Sequence, residues 1–438
     1  MINLEKSKSI RGWVWDKNVT GPTAFLYLRH EGGVSQVVVK RDDNQELFNK
    51  AVSVPVESAV IINGQEIKTN RITKRYVNTG SEIRLQDIKI VKRAEKLPIQ
   101  ATLEFSDQPT IDTNVENRHV AIRHPRYQNI IEVRATVLRG FREFFDKLGY
   151  LEVQVPVITP GIAEGGAKLF NLKYFGQQAS LTQSWQTYGE AAVPTRDKLY
   201  TVGPAFRAEQ SRTKRHLAEF WQGEVEAWLD GFDQLLSLEE RVVMHIRDKL
   251  LAENSRQLKN LSSPNDKHEL EERLEGIKAP FERITYEQAV DRLPRQHSFK
   301  RGDDLGSDEE RMLTEKSASP VFVTHYPWKV KAFYAKKDPK DPKYALSADM
   351  LASEGFGELT TGGQREESYE GLRQNAKEQE LNPDGDTIRW YIDLRKYGSS
   401  PTFGFGMGIE RLTRWTLKLD DIRDATLFPR SPRNRIYQ

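Results

Sequence analysis

The chain has 438 residues, 37% hydrophobic and 29% charged, enough for two or three domains and a large core beneath a heavily charged surface. A formal net charge of +3 excludes a generally polycationic binder and leaves room only for a local basic patch. With no cysteine, disulfides and thiolate metal sites are excluded; with no apolar run of membrane-spanning length and no apolar signal region in MINLEKSKSI, a cytoplasmic protein without a membrane partner is expected.

Residues 11–92 read as a small all-β unit, with RGWVW, TAFLYLR, VSQVVVK, SAVIINGQEI and SEIRLQDIKIV separated by Gly, Asn and Asp turn signals. Five short strands suit an oligonucleotide-binding (OB) barrel, and equally another small barrel or sandwich. The first domain is placed at 1–95, and residues 96–125, which lack periodicity and carry prolines and charges, are expected to be a linker or hinge. From 126 to 438 the character is α+β. Ile130, Val133, Val137, Phe141 and Phe144 recur at helical spacing and predict a helix with one buried face. LGYLEVQVPVITP then supplies Gly149 as helix stop, a short strand, and Pro156 and Pro160 as breakers. Residues 234–275, dense in Glu, Lys, Arg and Leu, predict surface helices within an insertion at about 234–300.

The stretch FRAEQSRTKRHLAEFW, residues 206–221, alternates cations and anions between aromatic residues. KLYTVGPAF before it and LAEFWQGEVEAWL after it read as strands, which makes SRTKRH the tip of an antiparallel hairpin. Strand alternation places Arg207 with Glu209 on one face, and aligns Phe220, Gln222, Glu224 and Glu226 on one face of the return strand. A ring followed by a row of acceptors is a floor for a purine beside a polar small molecule. Arg207 can clamp a phosphate bidentately, and Arg215 and His216 can reach the far end of a polyphosphate. FGFGMGIERL (403–412) puts glycines where a backbone must approach something closely, Gly408 among them, and opens a helix carrying Glu410 and Arg411. SADMLASEGFGELTTGGQRE (347–366) offers Asp349 and Glu358 as hard oxygen ligands for magnesium, with Arg365 beyond the glycines.

LGYLEVQVPVITP, FRAEQSRTKRHLAEF and GFGMGIERL, in that order, resemble the three motifs of a class II aminoacyl-tRNA synthetase of the aspartyl/asparaginyl subgroup. EGGAKLFNLKYF, GDDLGSDEER, YIDLRKYGS and FPRSPRNRIYQ resemble most the archaeal-type asparaginyl enzymes. The resemblance implies an N-terminal OB-fold anticodon-binding barrel, then a class II antiparallel-sheet catalytic domain flanked by helices. It implies ATP-dependent activation of asparagine and transfer to the 3′-hydroxyl of tRNA(Asn). Carried over residue by residue, Arg207 binds the α-phosphate, Phe220 and Arg411 flank adenine with Arg411 reaching the γ-phosphate, and Arg215 and His216 hold the β,γ-end with Glu209 tied to them. Asp349 and Glu358 carry Mg²⁺; Gln183 and Glu164 meet the substrate amino group and Arg365 its side-chain oxygen. Phe25 and Gln36 stack on and read anticodon bases, and Pro156 with the helix before it forms a homodimer interface.

The chain also departs from that family's pattern. WDKNVTGPT leaves Lys17 as the obvious phosphate partner where relatives tend to carry arginines, and QSWQTYGE has Trp185, Thr187 and Gly189 around the position where the aspartyl branch has lysine and the asparaginyl branch leucine. Glu224 supports an amide substrate, whereas Gly223 stands for a usual leucine, Thr402 for a usual histidine, and TTGG at 360–363 differs too. If Gly189 and Gly223 both face the substrate, the cavity is enlarged unless Trp185 folds in to fill it. Three alternatives stay open at this point: a paralogue with a remodelled pocket that activates another amino acid or evades an inhibitor, adenylate formation with a non-tRNA acceptor, and a silent tRNA-binding regulator.

Overall fold

Alternating apolar residues close the first five strands into a barrel. The structure, a computed structural model, describes residues 7–99, 110–161, 168–210, 213–294 and 296–432. Strands β1 (Ser7–Thr20), β2 (Thr23–His30), β3 (Gly33–Lys40), β4 (Ala59–Thr69) and β5 (Gly80–Lys92) join in the order β1-β2-β3-β5-β4, with helix α1 (Gln45–Val52) between β3 and β4. Leu26, Leu28, Val37, Val39, Val60 and Ile62 point inward, and Phe48 and Ala51 of α1 complete the core. The side chain of Asn44 accepts from the Leu47 N–H and starts that helix. A second cluster, Trp15, Tyr27 and Tyr76, lies on the outer face with Phe25 packed against it.

Two expectations for this half are corrected. WDKNVT belongs to strand β1, and Lys17 is not poised for phosphate: its Nζ donates to the carbonyls of Val52 and Val54 at 2.7 and 2.9 Å, tying β1 to the end of α1. The stretch read as a linker at 96–125 contains helices α2 (Ile111–Glu116) and α3 (Arg118–Ala121). Helices of six and four residues are too short to show a period in sequence. They are held by the buried Arg118, which lies 4.2 Å from the Tyr127 ring centroid and donates to its hydroxyl. Of the chain's two compact units, the first runs to Ile131 and the second starts at Glu132, so these helices belong with the barrel.

The second unit is built on an eight-stranded sheet. Helix α4 (Pro125–Lys147) buries the predicted stripe of Ile130, Val133, Val137, Phe141 and Phe144. After it come β6 (Leu151–Glu152), then β7 (Ile158–Thr159), β8 (Asn171–Tyr174) and β9 (Gln177–Leu181), which form a separate small sheet in the order β7-β9-β8. Next are α5 (Gln186–Ala192), β10 (Lys198–Phe206), β11 (Glu219–Trp228), α6 (Phe232–Glu253), α7 (Ser255–Leu261), α8 (Glu269–Gly276), β12 (Glu282–Thr285), α9 (Tyr286–Arg292) and α10 (Ser307–Thr314). The chain ends with β13 (Val321–Thr324), β14 (Ser347–Ala352), β15 (Gly357–Gln364), α11 (Tyr369–Glu378), α12 (Arg389–Asp393), β16 (Thr402–Gly408) and α13 (Ile409–Thr416). The large sheet has the order β12-β13-β14-β15-β16-β11-β10-β6, antiparallel in its centre and parallel only at its two outer pairs. Among the described residues no helix is long and apolar enough to cross a membrane.

The expected surface insertion at 234–300 is corrected as well. Helix α6 is a core helix: Leu235, Leu238, Val242, Ile246 and Leu250 are buried, and their spacing was masked in sequence by interleaved charges. Strand β12, inside the same stretch, is the edge of the large sheet. Helix α6 also carries Glu239, fully buried and bonded to the Thr360 hydroxyl; burial pushes its pKa up to about 8, with the Thr360 bond opposing. A folded pKa raised above the unfolded value near 4.5 contributes stability that is full below 4.5 and is lost as pH rises through about 8. Glu239→Gln, which mimics the protonated acid, should therefore lose less thermal stability than wild type between pH 6 and pH 9; identical slopes would contradict the assignment.

Candidate active site

Strands β10 and β11 pair from Lys198↔Ala227 to Phe206↔Glu219, and residues 207–218 connect them, so the predicted hairpin is present. Phe220, Gln222, Glu224 and Glu226 share one face of β11. On the other side of β11 the register sets Gly408 opposite Gln222, Gly406 opposite Glu224 and Gly404 opposite Glu226. This is the close approach that the glycines serve: a Cβ on Gly404 would stand 2.1 Å from Glu226 Oε1. The glycine alternation of β16 thus clears the floor for the polar row of β11.

Two cavities share that floor. The first is lined by Arg215, His216, Phe220, Gly408 and Arg411, and the second by Glu224, Glu226, Asp349 and Arg365; Arg207, Glu209, Gln222 and Glu358 line both. The first is built for an anion beside a flat ring. Arg207 sits 5.6 Å from the Phe220 ring centroid, and the Nε atoms of Arg207 and Arg215 are buried without a hydrogen-bond partner. A buried donor left unpaired costs free energy until an acceptor arrives. Arg411 Nη1 donates to Glu358 Oε1 at 2.7 Å. Burial alone would raise the Glu358 pKa, but Arg411 and then Arg207 overcome it and hold the carboxylate ionised. Burial, then Arg411 and Arg215, push His216 down to about 4, so near neutral pH it offers a hydrogen bond rather than a charge. Glu410, beside Arg411, also borders this cavity and accepts from Arg134 at 2.6 Å and from the Trp221 N–H at 2.9 Å, fixing α13 to α4 and β11.

The second cavity is a polar box. Glu224 accepts from the Ser184 hydroxyl and, at 2.9 Å, from the Trp185 N–H. Arg365 Nη2 donates to Glu226 Oε1 at 2.5 Å, and its backbone N–H donates to the Thr402 carbonyl. Burial pushes the Glu226 pKa up, with Arg365 opposing it in part. Gln183 does not line this box: it donates to the Lys168 carbonyl and borders a small separate cavity with Tyr188 and Trp390. Gln186, three residues on at the start of α5, does line it, and its buried Nε2 has no partner. QSWQ contains both glutamines, and only the turn geometry decides which one enters. Glu164 lies outside the described residues.

The divergent positions compensate one another. Gly189 does not open onto the substrate side, because a Cβ there would meet the Trp185 ring at 2.1 Å; the indole fills the space from the core cluster of Val193 and Leu199. Gly223 faces the back of the sheet, where a Cβ would meet the Phe141 ring at 2.5 Å. Thr402 is buried, and its hydroxyl donates to the Ser400 carbonyl. The enlarged pocket expected from the two glycines is therefore absent. Gly189→Leu and Gly223→Leu should each destabilise the fold by the roughly 1–3 kcal/mol typical of overpacking, seen as a lower melting temperature, and leave selectivity for the amino acid unimproved. A stable variant with tighter substrate binding would contradict this packing.

Asp349 and Glu358 stand on neighbouring strands β14 and β15. Asp349 Oδ2 accepts from Lys331 at 2.8 Å, and its Oδ1 is buried without a hydrogen bond. That orphaned oxygen suits a hard cation, although among the described residues no group of three or more His, Cys, Asp or Glu ligands exists, so a cation there needs oxygens from the substrate. In the barrel, Phe25 and Gln36 are diagonal neighbours on β2 and β3; Phe25 is partly exposed, whereas Gln36 is buried and donates to Glu82 at 2.7 Å. Sequence reasoning missed Gln186, Glu226 as the partner of Arg365, Lys331, and Glu310, which contacts Arg215.

A six-strand antiparallel centre, an arginine at the junction of two cavities and a glycine strand leading into an arginine-bearing helix define a class II synthetase domain. The model of the family "tRNA synthetases class II (D, K and N)" matches residues 110–432, and the chain belongs to that family. Its relatives include the asparagine–tRNA ligases of Thermococcus kodakarensis, 41% identical over 99% of this chain and 96% of the relative, and of Pyrococcus furiosus, 40% identical over the same shares. The crystal structure of asparaginyl-tRNA synthetase from Pyrococcus horikoshii complexed with asparaginyl-adenylate superposes with a TM-score of 0.90 at 39% identity, covering 99% of this chain and 96% of that one.

Proposed function

We propose that the protein activates asparagine with ATP and transfers it to the 3′-hydroxyl of tRNA(Asn). The observation that carries this reading is the position of Arg207 on the wall common to both cavities, where the carboxylate of an amino acid and the α-phosphate of ATP have to meet. No side-chain nucleophile is required. The asparagine carboxylate oxygen bonds to the α-phosphorus, the bond from that phosphorus to the α,β-bridging oxygen breaks and pyrophosphate leaves with that oxygen; the site contributes alignment and preorganised positive charge. The tRNA hydroxyl then attacks the carbonyl of the mixed anhydride and AMP departs. Arg207 faces the α-phosphate, Phe220 stacks on adenine with Arg411 on its other face, and Arg215 with the uncharged His216 takes the distal phosphates. Asp349 and Glu358 would hold Mg²⁺, which would supply charge neutralisation for the phosphates.

In the amino-acid cavity, Glu224 accepts from Ser184 and Trp185, and this fixed carboxylate accepts the amide N–H of the substrate. Arg365, steadied by Glu226, donates to the amide oxygen, and Gln186 takes the place first given to Gln183 beside the amino group. The barrel is the anticodon reader, with Phe25 as a stacking ring and Gln36 available once it leaves Glu82. Exposed Leu151, Val157 and Ile158 around Pro156 support pairing of two copies through this edge. The test is ATP–pyrophosphate exchange without tRNA. Exchange that depends on asparagine is expected, and exchange driven instead by another amino acid would overturn the assignment.

A further inference from the structure

Helix α10 lies between the hairpin and the glycine strand in sequence, and its Glu310, with a side chain only 6% exposed, lines the second cavity and holds Arg215, which lines the nucleotide cavity. Glu310 Oε2 accepts from Arg215 Nη1 at 2.5 Å and from the backbone N–H of Glu358 at 3.0 Å, and Oε1 accepts from Arg215 Nη2 at 3.4 Å. Glu358 in turn holds Arg411. One carboxylate therefore joins the hairpin arginine to the strand that carries the other arginine's partner. The backbone is shaped for it: Gly357 has φ +86°, and a Cβ there would stand 2.3 Å from Arg215 Nη1 and 2.9 Å from Glu310 Oε2. The Nε of Arg215 is buried and unpaired, so the guanidinium can rest on Glu310 and still donate to a phosphate.

We infer that Glu310 is a positioning residue for the activation step, holding Arg215 and the Glu358–Arg411 pair in the geometry that receives the distal phosphates of ATP. The inference rests on reading this cleft as the adenylate-forming site. Although Glu310 borders the second cavity, its hydrogen bonds go to Arg215 and the Glu358 N–H rather than to Glu224, Arg365 or Gln186, so the effect is expected to fall on ATP. Misplacing a phosphate-binding group by about 1 Å costs on the order of 100-fold.

The experiment measures exchange kinetics and, in parallel, ATP binding by calorimetry for the full chain carrying Glu310→Gln, Arg215→Ala or both. Glu310→Gln is expected to raise the KM and Kd for ATP about 10–100-fold while the KM for asparagine stays within about twofold, and the double variant to lose less than the two single losses added together. Should Glu310→Gln not fold, Glu310→Asp retains the charge one methylene short of Arg215 and should raise the same two constants. Wild-type ATP affinity in the folded variant, an equal rise in the asparagine KM, or a loss that adds in full to that of Arg215→Ala would overturn the inference. A wild-type chain that binds ATP without asparagine-dependent exchange would count against the amino-acid assignment, and Glu310 would still stand or fall on ATP affinity.

Discussion

Arg207→Ala should lower asparagine-dependent pyrophosphate exchange by about 100–1,000-fold, the usual cost of removing one preorganised donor from a developing charge, while leaving the melting temperature close to wild type. The expectation follows from its place on both cavity walls and from its unpaired buried Nε. No hydrogen bond to the rest of the fold is given up from that nitrogen, so stability has little to lose. Kinetically the loss should appear in kcat, because the pentavalent phosphorus concentrates charge that ground-state ATP does not. A merely exposed arginine predicts normal exchange, and that result would remove Arg207 from the chemistry.

Aspartate should be rejected by about 10,000-fold or more in kcat/KM relative to asparagine, in the range seen where buried polar partners are left mismatched. Glu224 is 6% exposed and bonded at both oxygens, so it cannot swing away from a second carboxylate. Position 189 carries no lysine to offset the repulsion, and its place is packed by Trp185. Only an amide can donate to Glu224 while accepting from Arg365. The measurement is exchange with each amino acid at saturating ATP. Comparable use of aspartate would show that Glu224 does not set the choice.

The parts of this molecule that sequence disclosed are those in which a period or a local pairing repeats. The stripe of α4, the alternation of Phe220 to Glu226 and the hairpin between β10 and β11 all depend on neighbours a few residues away, and all stand as expected. The helices α2 and α3 were hidden because they are too short to show a period, and the core placement of α6 because charged residues interrupt its apolar pattern. Lys17 looked like a free cation because the carbonyls it holds lie 35 and 37 residues further on. Glu310 is 95 residues from Arg215, and nothing in GDDLGSDEER distinguishes it from a solvated helix face. Gln183 and Gln186 differ only in which side of a turn they leave, a distinction that backbone geometry makes and composition does not. The glycines at 189 and 223 looked like lost side chains until Trp185 and Phe141 were found in their space.

Steady-state aminoacylation of a tRNA(Asn) transcript with labelled asparagine tests the central proposal most directly, since it requires the barrel, the nucleotide cavity and the amide-selective box to act on one substrate set. Asparagine should be esterified to the transcript's terminal adenosine, charging should be lost in Arg207→Ala, and aspartate should give none. Adenylate formation with no transfer to tRNA, or charging with aspartate in place of asparagine, would contradict it.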